Sequence, residues 1–123
     1  VQHLTILNVD KILDLVNIGV VQLQRMMHRK FSAQTIIGLN IHICCLIERL
    51  VTKTPIETHI DQKDFEQEQK PFIEMVRSAF REISEHYSVE FPISEIAYVY
   101  DYIIHDPRAS QIGKEQVHEI RNH

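Results

Sequence analysis

Residues 38–50 (GLNIHICCLIERL) contain one histidine in an apolar stretch, with an arginine seven positions later. Residues seven apart lie two turns apart on an α-helix, so His42 and Arg49 share a face, with Cys45 between them and Gly38 one turn before. An imidazole carries a nucleophilic nitrogen, and a guanidinium binds phosphate through two parallel hydrogen bonds. Such a helix face suits a histidine that receives a phosphoryl group.

The same residues allow a structural interpretation. A lone histidine in an apolar helix is more often a packed, hydrogen-bonded side chain than a reactive one. His42 lies beside the predicted core stripe rather than within it, so a partner protein can reach it. Arg49 has its own alternative, an ion pair with an acid across the bundle. The core stripe of this helix comprises Ile36, Leu39, Ile43, Leu46, Ile47 and Leu50.

Other kinds of site find little support. The eight histidines include no pair four residues apart and no His-Glu-x-x-His pattern, which argues against a metal site. The chain has no Gly-x-Ser-x-Gly elbow or phosphate-binding glycine loop. Cys44 and Cys45 lie within the apolar pattern, which predicts buried, reduced thiols. We therefore expect a protein that is not an enzyme and has no cofactor.

Composition narrows the class of protein further. The 123 residues suit one globular domain, and the net charge of −4 without a dense basic cluster argues against direct nucleic-acid contact. No apolar run approaches the roughly 20 residues that span a bilayer, and no signal peptide is visible, so we expect a cytoplasmic domain. Because the chain begins with Val1, we expect it to be a fragment of a larger protein.

Hydrophobic periodicity predicts four helices, at about 9–28, 33–51, 65–87 and 92–105. Strand patterns are absent, so the expected fold is an all-α bundle of four to five helices with antiparallel pairs. The whole chain, 1–123, is predicted to be one domain, with a core over about 9–105 and a polar tail over 106–123. A polar connector is predicted over 52–68.

Capping residues and core positions complete the prediction. Asn8 or Asp10 is expected to cap the first helix, Ser32 the second and Ser94 the fourth. Gly38 lowers helix propensity, so we expect it to serve close packing or access. The other predicted core positions are Ile12, Leu13, Val16, Val20, Leu23, Met27, Phe72, Ile73, Val76, Phe80, Ile83, Ile96, Ala97, Val99, Tyr100, Ile103 and Ile104.

Two motifs resemble signatures of the PTS regulation domain (PRD) family. Residues 37–50 (IGLNIHICCLIERL) match the first signature, a histidine followed seven positions later by an arginine in an Ile/Leu-rich helix. Residues 95–103 (EIAYVYDYI) match the second, Glu-Ile-Ala-Tyr followed by an apolar stretch. The motifs occur in the family's order and at its spacing of about sixty residues. The resemblance covers about 9–105.

The resemblance implies an all-α regulatory module of bacterial transcriptional antiterminators and activators. In that family, histidines receive phosphoryl groups from the sugar phosphotransferase system (PTS), through HPr or a sugar-specific enzyme IIB, and phosphorylation changes domain association. His42 corresponds to the first such histidine. The second lies four residues after the tyrosine of the second signature, where this chain has Tyr102. The resemblance therefore implies one phosphorylated histidine. From the residues themselves, Arg49 is expected to stabilise the phosphate or act in the switch, and His105, one turn after Tyr102, is a weaker alternative site.

The ending EIAYVYDYI most resembles the C-terminal PRD of sigma-54-dependent, levanase-operon-type activators, with antiterminators as the alternative. In those activators the last PRD is usually the target of enzyme IIB, and its phosphorylation lowers activity when the sugar is absent. A homodimer is the expected assembly. The main rival hypothesis is a helical dimerisation module in which His42 is packed and never phosphorylated.

Overall fold

The computed structural model describes residues 8–53 and 63–107. Across these ranges the secondary structure is entirely helical, which confirms the all-α prediction. Predictions for most of the connector and the tail, and for His3, His59, His118 and His123, lie outside the described residues. The described residues form six helices: α1 (Val9–Met27), α2 (Ala33–Val51), α3 (Lys63–Glu68), α4 (Lys70–Ala79), α5 (Arg81–Tyr87) and α6 (Ile93–Ile104).

Two of the predicted helix starts are confirmed by their caps. The Asn8 side chain accepts a hydrogen bond from the Lys11 N–H at 3.1 Å, and the Ser32 hydroxyl accepts one from the Thr35 N–H at 3.2 Å. The prediction for Ser94 is wrong. Pro92 occupies the N-cap position of α6, so Ser94 lies inside the first turn, and its hydroxyl oxygen is buried without a hydrogen-bond partner.

The continuous helix predicted over 65–87 is also wrong, because it divides into α3, α4 and α5. The backbone leaves helical geometry at Gln69 (φ −115°, ψ 33°) and at Phe80 (φ −105°, ψ 20°). Pro71 follows the first break and suits the first turn of α4, since proline has no N–H to donate. Main-chain hydrogen bonds continue through both breaks, so each is a bend rather than a loop.

The core lies where α1 packs against α2, α4 and α5, and where α6 packs against α2 and α4. Two core predictions are wrong: Leu13 and Ile104 are 43% and 49% exposed. On α1 the buried face instead includes Leu15 and Gly19. The buried apolar side chains are Ile12, Leu15, Val16, Val20, Leu23, Phe31, Leu39, Ile43, Leu46, Ile47, Phe72, Ile73, Val76, Ala79, Phe80, Ile83, Phe91, Ile96, Val99 and Ile103.

A buried carboxylate joins the end of α6 to the start of α2. Asp106 is 1% exposed, and its Oδ2 accepts a hydrogen bond from the Ser32 N–H at 2.9 Å. The C-terminus of α6 therefore lies beside the N-terminus of α2, and the two helices run antiparallel. This arrangement sets which residues of α6 face the middle of α2.

One helix in the described part of the chain, α2, meets the length and average composition of a membrane-spanning helix, although polar residues interrupt its apolar sequence. Its 19 residues are long enough and apolar enough to cross a bilayer by length and composition alone. A core helix of a folded domain passes the same test. Leu39, Ile43, Leu46 and Ile47 of α2 are fully buried within the bundle, whereas Ile37 and Ile41 of the same helix are each 60% exposed.

Gly19 offers a test of the core packing, because a Cβ at this position would overlap the ring of Phe80, which is 1% exposed. Alanine is more favourable than glycine inside a helix by about 1 kcal/mol of intrinsic helix propensity. Overpacking a core costs about 1–3 kcal/mol. We expect the overlap to prevail, so that Gly19→Ala lowers the free energy of unfolding, measured by urea denaturation.

The matched control is Asn17→Ala, an exposed position on the same helix. We expect it to leave the free energy of unfolding unchanged or slightly raised, within about 0.5 kcal/mol. A Gly19→Ala variant that is more stable than the parent would contradict the close approach of α1 to Phe80.

Candidate functional site

The antiparallel packing of α2 and α6 brings His42 against Glu95. Nε2 of His42 lies 2.9 Å from Oε2 of Glu95, although the two residues are 53 positions apart in the sequence. The His42 side chain is 20% exposed and that of Glu95 is 12% exposed. His42 is therefore a hydrogen-bonded side chain at the edge of the core that still reaches the surface.

Arg49 approaches the same carboxylate from two turns further along α2. Its Nη2 lies 3.9 Å from Oε1 of Glu95, which is an ion-pair distance but too long for a hydrogen bond. The Arg49 Nε is buried without a hydrogen-bond partner. Arg49 therefore forms the ion pair across the bundle that was the structural alternative to phosphate binding, and its Nε–H donor remains unused. The predicted shared face is confirmed, since His42 and Arg49 flank one carboxylate.

Tyr98 covers one face of the His42 ring. The ring centroids are 4.1 Å apart and the planes differ by 18°. Tyr98 lies three residues after Glu95 on α6, so both point to the same side of this helix. The imidazole is therefore held at its edge by a carboxylate and on its face by a phenol ring.

Tyr102, which occupies the place of the family's second histidine, packs on α2 one turn before His42. A Cβ at Gly38 would overlap the Tyr102 hydroxyl, so this close approach requires glycine. The prediction that Gly38 serves close packing is confirmed. The Tyr102 ring also lies 6.3 Å from that of Tyr98, and the two tyrosines form one aromatic row along α6.

His105 lies at the end of α6 and is 72% exposed. Its Nδ1 lies 2.7 Å from the carbonyl oxygen of Asp101 and 3.5 Å from the Asp101 carboxylate. A surface cavity of about 300 Å³ between the two helices is lined by His105 and Tyr102 together with Gln34, Thr35, Asp101 and Pro107. His105 therefore makes contacts of a different kind from those of His42, with acceptors on its own helix.

The two cysteines differ in environment. Cys44 is partly buried, whereas Cys45 is exposed, so the prediction that both are buried is wrong for Cys45. Burial raises the pKa of the Cys44 thiol above its ordinary value, and the neighbouring Cys45 raises it further. Both are free thiols. Within residues 8–53 and 63–107, no three His, Cys, Asp or Glu side chains form a group that could hold a metal ion.

Sequence reasoning missed the roles of Glu95 and Tyr98, although both belong to the second motif. An acid near the start of an apolar helix, followed three residues later by a tyrosine, was a usable signal, because the spacing places both on one helix face. The periodic pattern could not show that this face meets His42. That depends on how α2 and α6 are aligned.

The geometry agrees with the comparisons with known proteins. The family model described as PRD domain matches residues 20–106, which is more than half of the chain. The chain therefore belongs to the PRD family, a regulatory rather than catalytic class of domain that serves PTS-regulated transcriptional regulators. No curated protein and no solved structure matches the chain. The matched range contains His42, Arg49 and Glu95.

Proposed function

We propose that this domain controls a bacterial transcriptional regulator through phosphorylation of His42 by the PTS, with enzyme IIB or HPr as the phosphoryl donor. The observation that carries the proposal is the state of the His42 ring. It is held by Glu95 and Tyr98 yet remains partly exposed beside an arginine with an unused donor.

The chemistry of the site supplies a switch. A phosphoryl group adds close to two negative charges and three acceptor oxygens. On His42 these charges would lie beside the ion pair of Glu95 and Arg49 and would compete with the carboxylate for the guanidinium. Arg49 can then turn from a carboxylate at 3.9 Å to the phosphate, using its free Nε as well as its terminal nitrogens. Phosphorylation would thus exchange the partner of Arg49 and weaken one connection between α2 and α6.

Self-association is the proposed output. Ile37 and Ile41 are each 60% exposed and lie one turn apart on α2, next to His42, and Tyr98 is 48% exposed. A homodimer that covers these side chains would respond to a new charge on His42. A coupling of about 1–3 kcal/mol between phosphorylation and association is typical of such switches.

The parent protein is proposed from the second motif, residues 95–103. This motif favours the hypothesis that the domain is the C-terminal PRD of a sigma-54-dependent, levanase-operon-type activator, with an antiterminator as the alternative. Such an activator would act in the cytoplasm on sugar-utilisation genes. In either setting this domain would contact PTS proteins and its own copy, and not nucleic acid. The exposed Ile37 and Ile41 equally support the rival hypothesis, an interaction module without phosphorylation.

Incubation with phosphoenolpyruvate, enzyme I, HPr and enzyme IIB tests the proposed site. We expect acid-labile phosphate on the parent domain and none on His42→Ala, because the variant has no imidazole at this position. Mass spectrometry under neutral conditions measures the labelling, and circular dichroism verifies that the variant is folded. The matched control is His105→Ala, which should be labelled like the parent. Persistent labelling of His42→Ala would contradict the assignment.

Arg49 provides a test of the switch itself. We expect Arg49→Gln to accept phosphate on His42 but to lose most of the phosphorylation-induced change in dimer dissociation constant, at least a fivefold reduction of the effect. Sedimentation of phosphorylated and unphosphorylated protein measures it. Arg77→Gln is the control, because Arg77 forms an exposed ion pair with Glu90 at a similar 3.8 Å. An unaltered response in Arg49→Gln would exclude this arginine from the switch.

A further inference from the structure

We propose that Glu95 is a positioning residue that keeps the proton of His42 on Nε2, so that Nδ1 is the atom that receives the phosphoryl group. The phosphorylation part rests on the function proposed above. The location of the proton does not, since it is a property of the unmodified protein. Beyond phosphorylation of His42, Nδ1 is thus the reacting atom and Glu95 is the residue that selects it.

The side chains of His42 and Glu95 form a hydrogen bond between α2 and α6. Nε2 of His42 and Oε2 of Glu95 lie at a hydrogen-bond distance of 2.9 Å. With Glu95 as a carboxylate, which can only accept, the hydrogen bond forms in the tautomer that carries the proton on Nε2. The other carboxylate oxygen faces Arg49, whose guanidinium can only donate. Both oxygens of Glu95 thus face donors from α2. In the neutral imidazole a proton on Nε2 leaves the lone pair on Nδ1.

The Nδ1 atom of His42 is reachable from solvent. This nitrogen makes no hydrogen bond to any described residue. Among the described residues, the buried side-chain nitrogen or oxygen atoms without a partner are Arg49 Nε and Ser94 Oγ, so Nδ1 is not one of them. It follows that Nδ1 retains contact with solvent, whereas Nε2 is occupied by the carboxylate.

Two contacts with α6 hold the orientation of the His42 ring. Tyr98 stacks on one face at 4.1 Å, and rotation of the imidazole would break both this contact and the hydrogen bond to Glu95. A donor protein must therefore approach in the plane of the ring, at the Nδ1 edge. Glu95 and Tyr98 act together from the same side of α6, so one helix fixes the direction in which the nucleophile points.

The transfer balances without any further reactant. The Nδ1 lone pair attacks the phosphorus of a phosphorylated carrier protein, and a nitrogen–phosphorus bond forms as the carrier's bond to phosphorus breaks, its electron pair returning to the carrier atom. The Nε2 proton stays in place. The imidazolium charge that develops is offset by the Glu95 carboxylate, as in other histidines oriented by an acid.

His105 provides an internal contrast. Its Nδ1 lies 2.7 Å from the carbonyl oxygen of Asp101, an acceptor, so the proton is on Nδ1 and the lone pair is on Nε2. The two histidines should therefore react at opposite nitrogens when they meet the same small phosphoryl donor. Phosphoramidate is such a donor and needs no carrier protein, so the reaction can be tested independently of the PTS.

The experiment uses the full chain labelled with 15N. Long-range 1H–15N correlation spectra of the unmodified protein report which ring nitrogen carries the proton, with His42→Ala assigning the signals. We expect the proton of His42 on Nε2. After phosphoramidate treatment, 15N–31P coupling identifies the modified atom, which should be Nδ1 at His42 and Nε2 at His105.

Variants separate positioning from folding. Glu95→Gln should give a mixture of the two His42 tautomers, since an amide both donates and accepts hydrogen bonds. It should also slow His42 phosphorylation about tenfold to a hundredfold, the loss expected when the partner that orients a functional histidine is removed. Reaction at His105 should be unchanged. Glu90→Gln, an exposed acid in a comparable ion pair, should leave both histidines unaffected.

Three results would overturn the proposal: a proton on Nδ1 of His42 in the parent protein, phosphate on its Nε2, or no phosphate on His42 under conditions where His105 reacts. The PTS reaction gives a separate answer. Nδ1 phosphorylation by phosphoramidate without labelling by enzyme IIB or HPr would support the positioning role of Glu95 and reject the proposed function.

Discussion

The Glu95 carboxylate lies between α2 and α6, where 12% of its side chain reaches solvent, and it faces His42 on one side and Arg49 on the other. A carboxylate removed from water is costly unless it is hydrogen-bonded and paired. Both of its partners come from α2. The contacts of this acid are therefore satisfied only when α6 lies at this position along α2, and in this position Nε2 of His42 faces the carboxylate.

Three contacts describe the same antiparallel alignment. The contacting pairs are Ser32 with Asp106, Gly38 with Tyr102, and His42 with Glu95. Residue numbers rise along α2 while those of the contacted residues fall along α6, as expected for antiparallel helices. The first and last contacts are hydrogen bonds and the middle one is close packing. A shift of one turn would break all three at once. In the proposed switch, a charge placed on His42 would act on this alignment and so on the relation between the two helices.

Much of the fold could be predicted from the sequence because it depends on local rules. The caps Asn8 and Ser32, and the bounds of α2, follow from hydrogen-bonding side chains and hydrophobic period. The bends at Gln69 and Phe80 could not be predicted, because the core stripe continues through them. The pairing of Glu95 with His42 could not be predicted either, since it depends on how two helices align and the two residues are 53 positions apart in the sequence. The exposed Leu13 and Ile104 show that an apolar residue beside a core stripe need not belong to it.

The central claim is that His42 and Glu95 form a direct, energetically coupled pair across the α2–α6 interface. A double-mutant cycle with His42→Ala, Glu95→Ala and the double variant, measured by urea unfolding, tests it without any PTS protein. We expect a coupling free energy of about 0.5–3 kcal/mol, the range for residues in direct contact. Additive effects, with a coupling below about 0.3 kcal/mol, would contradict it.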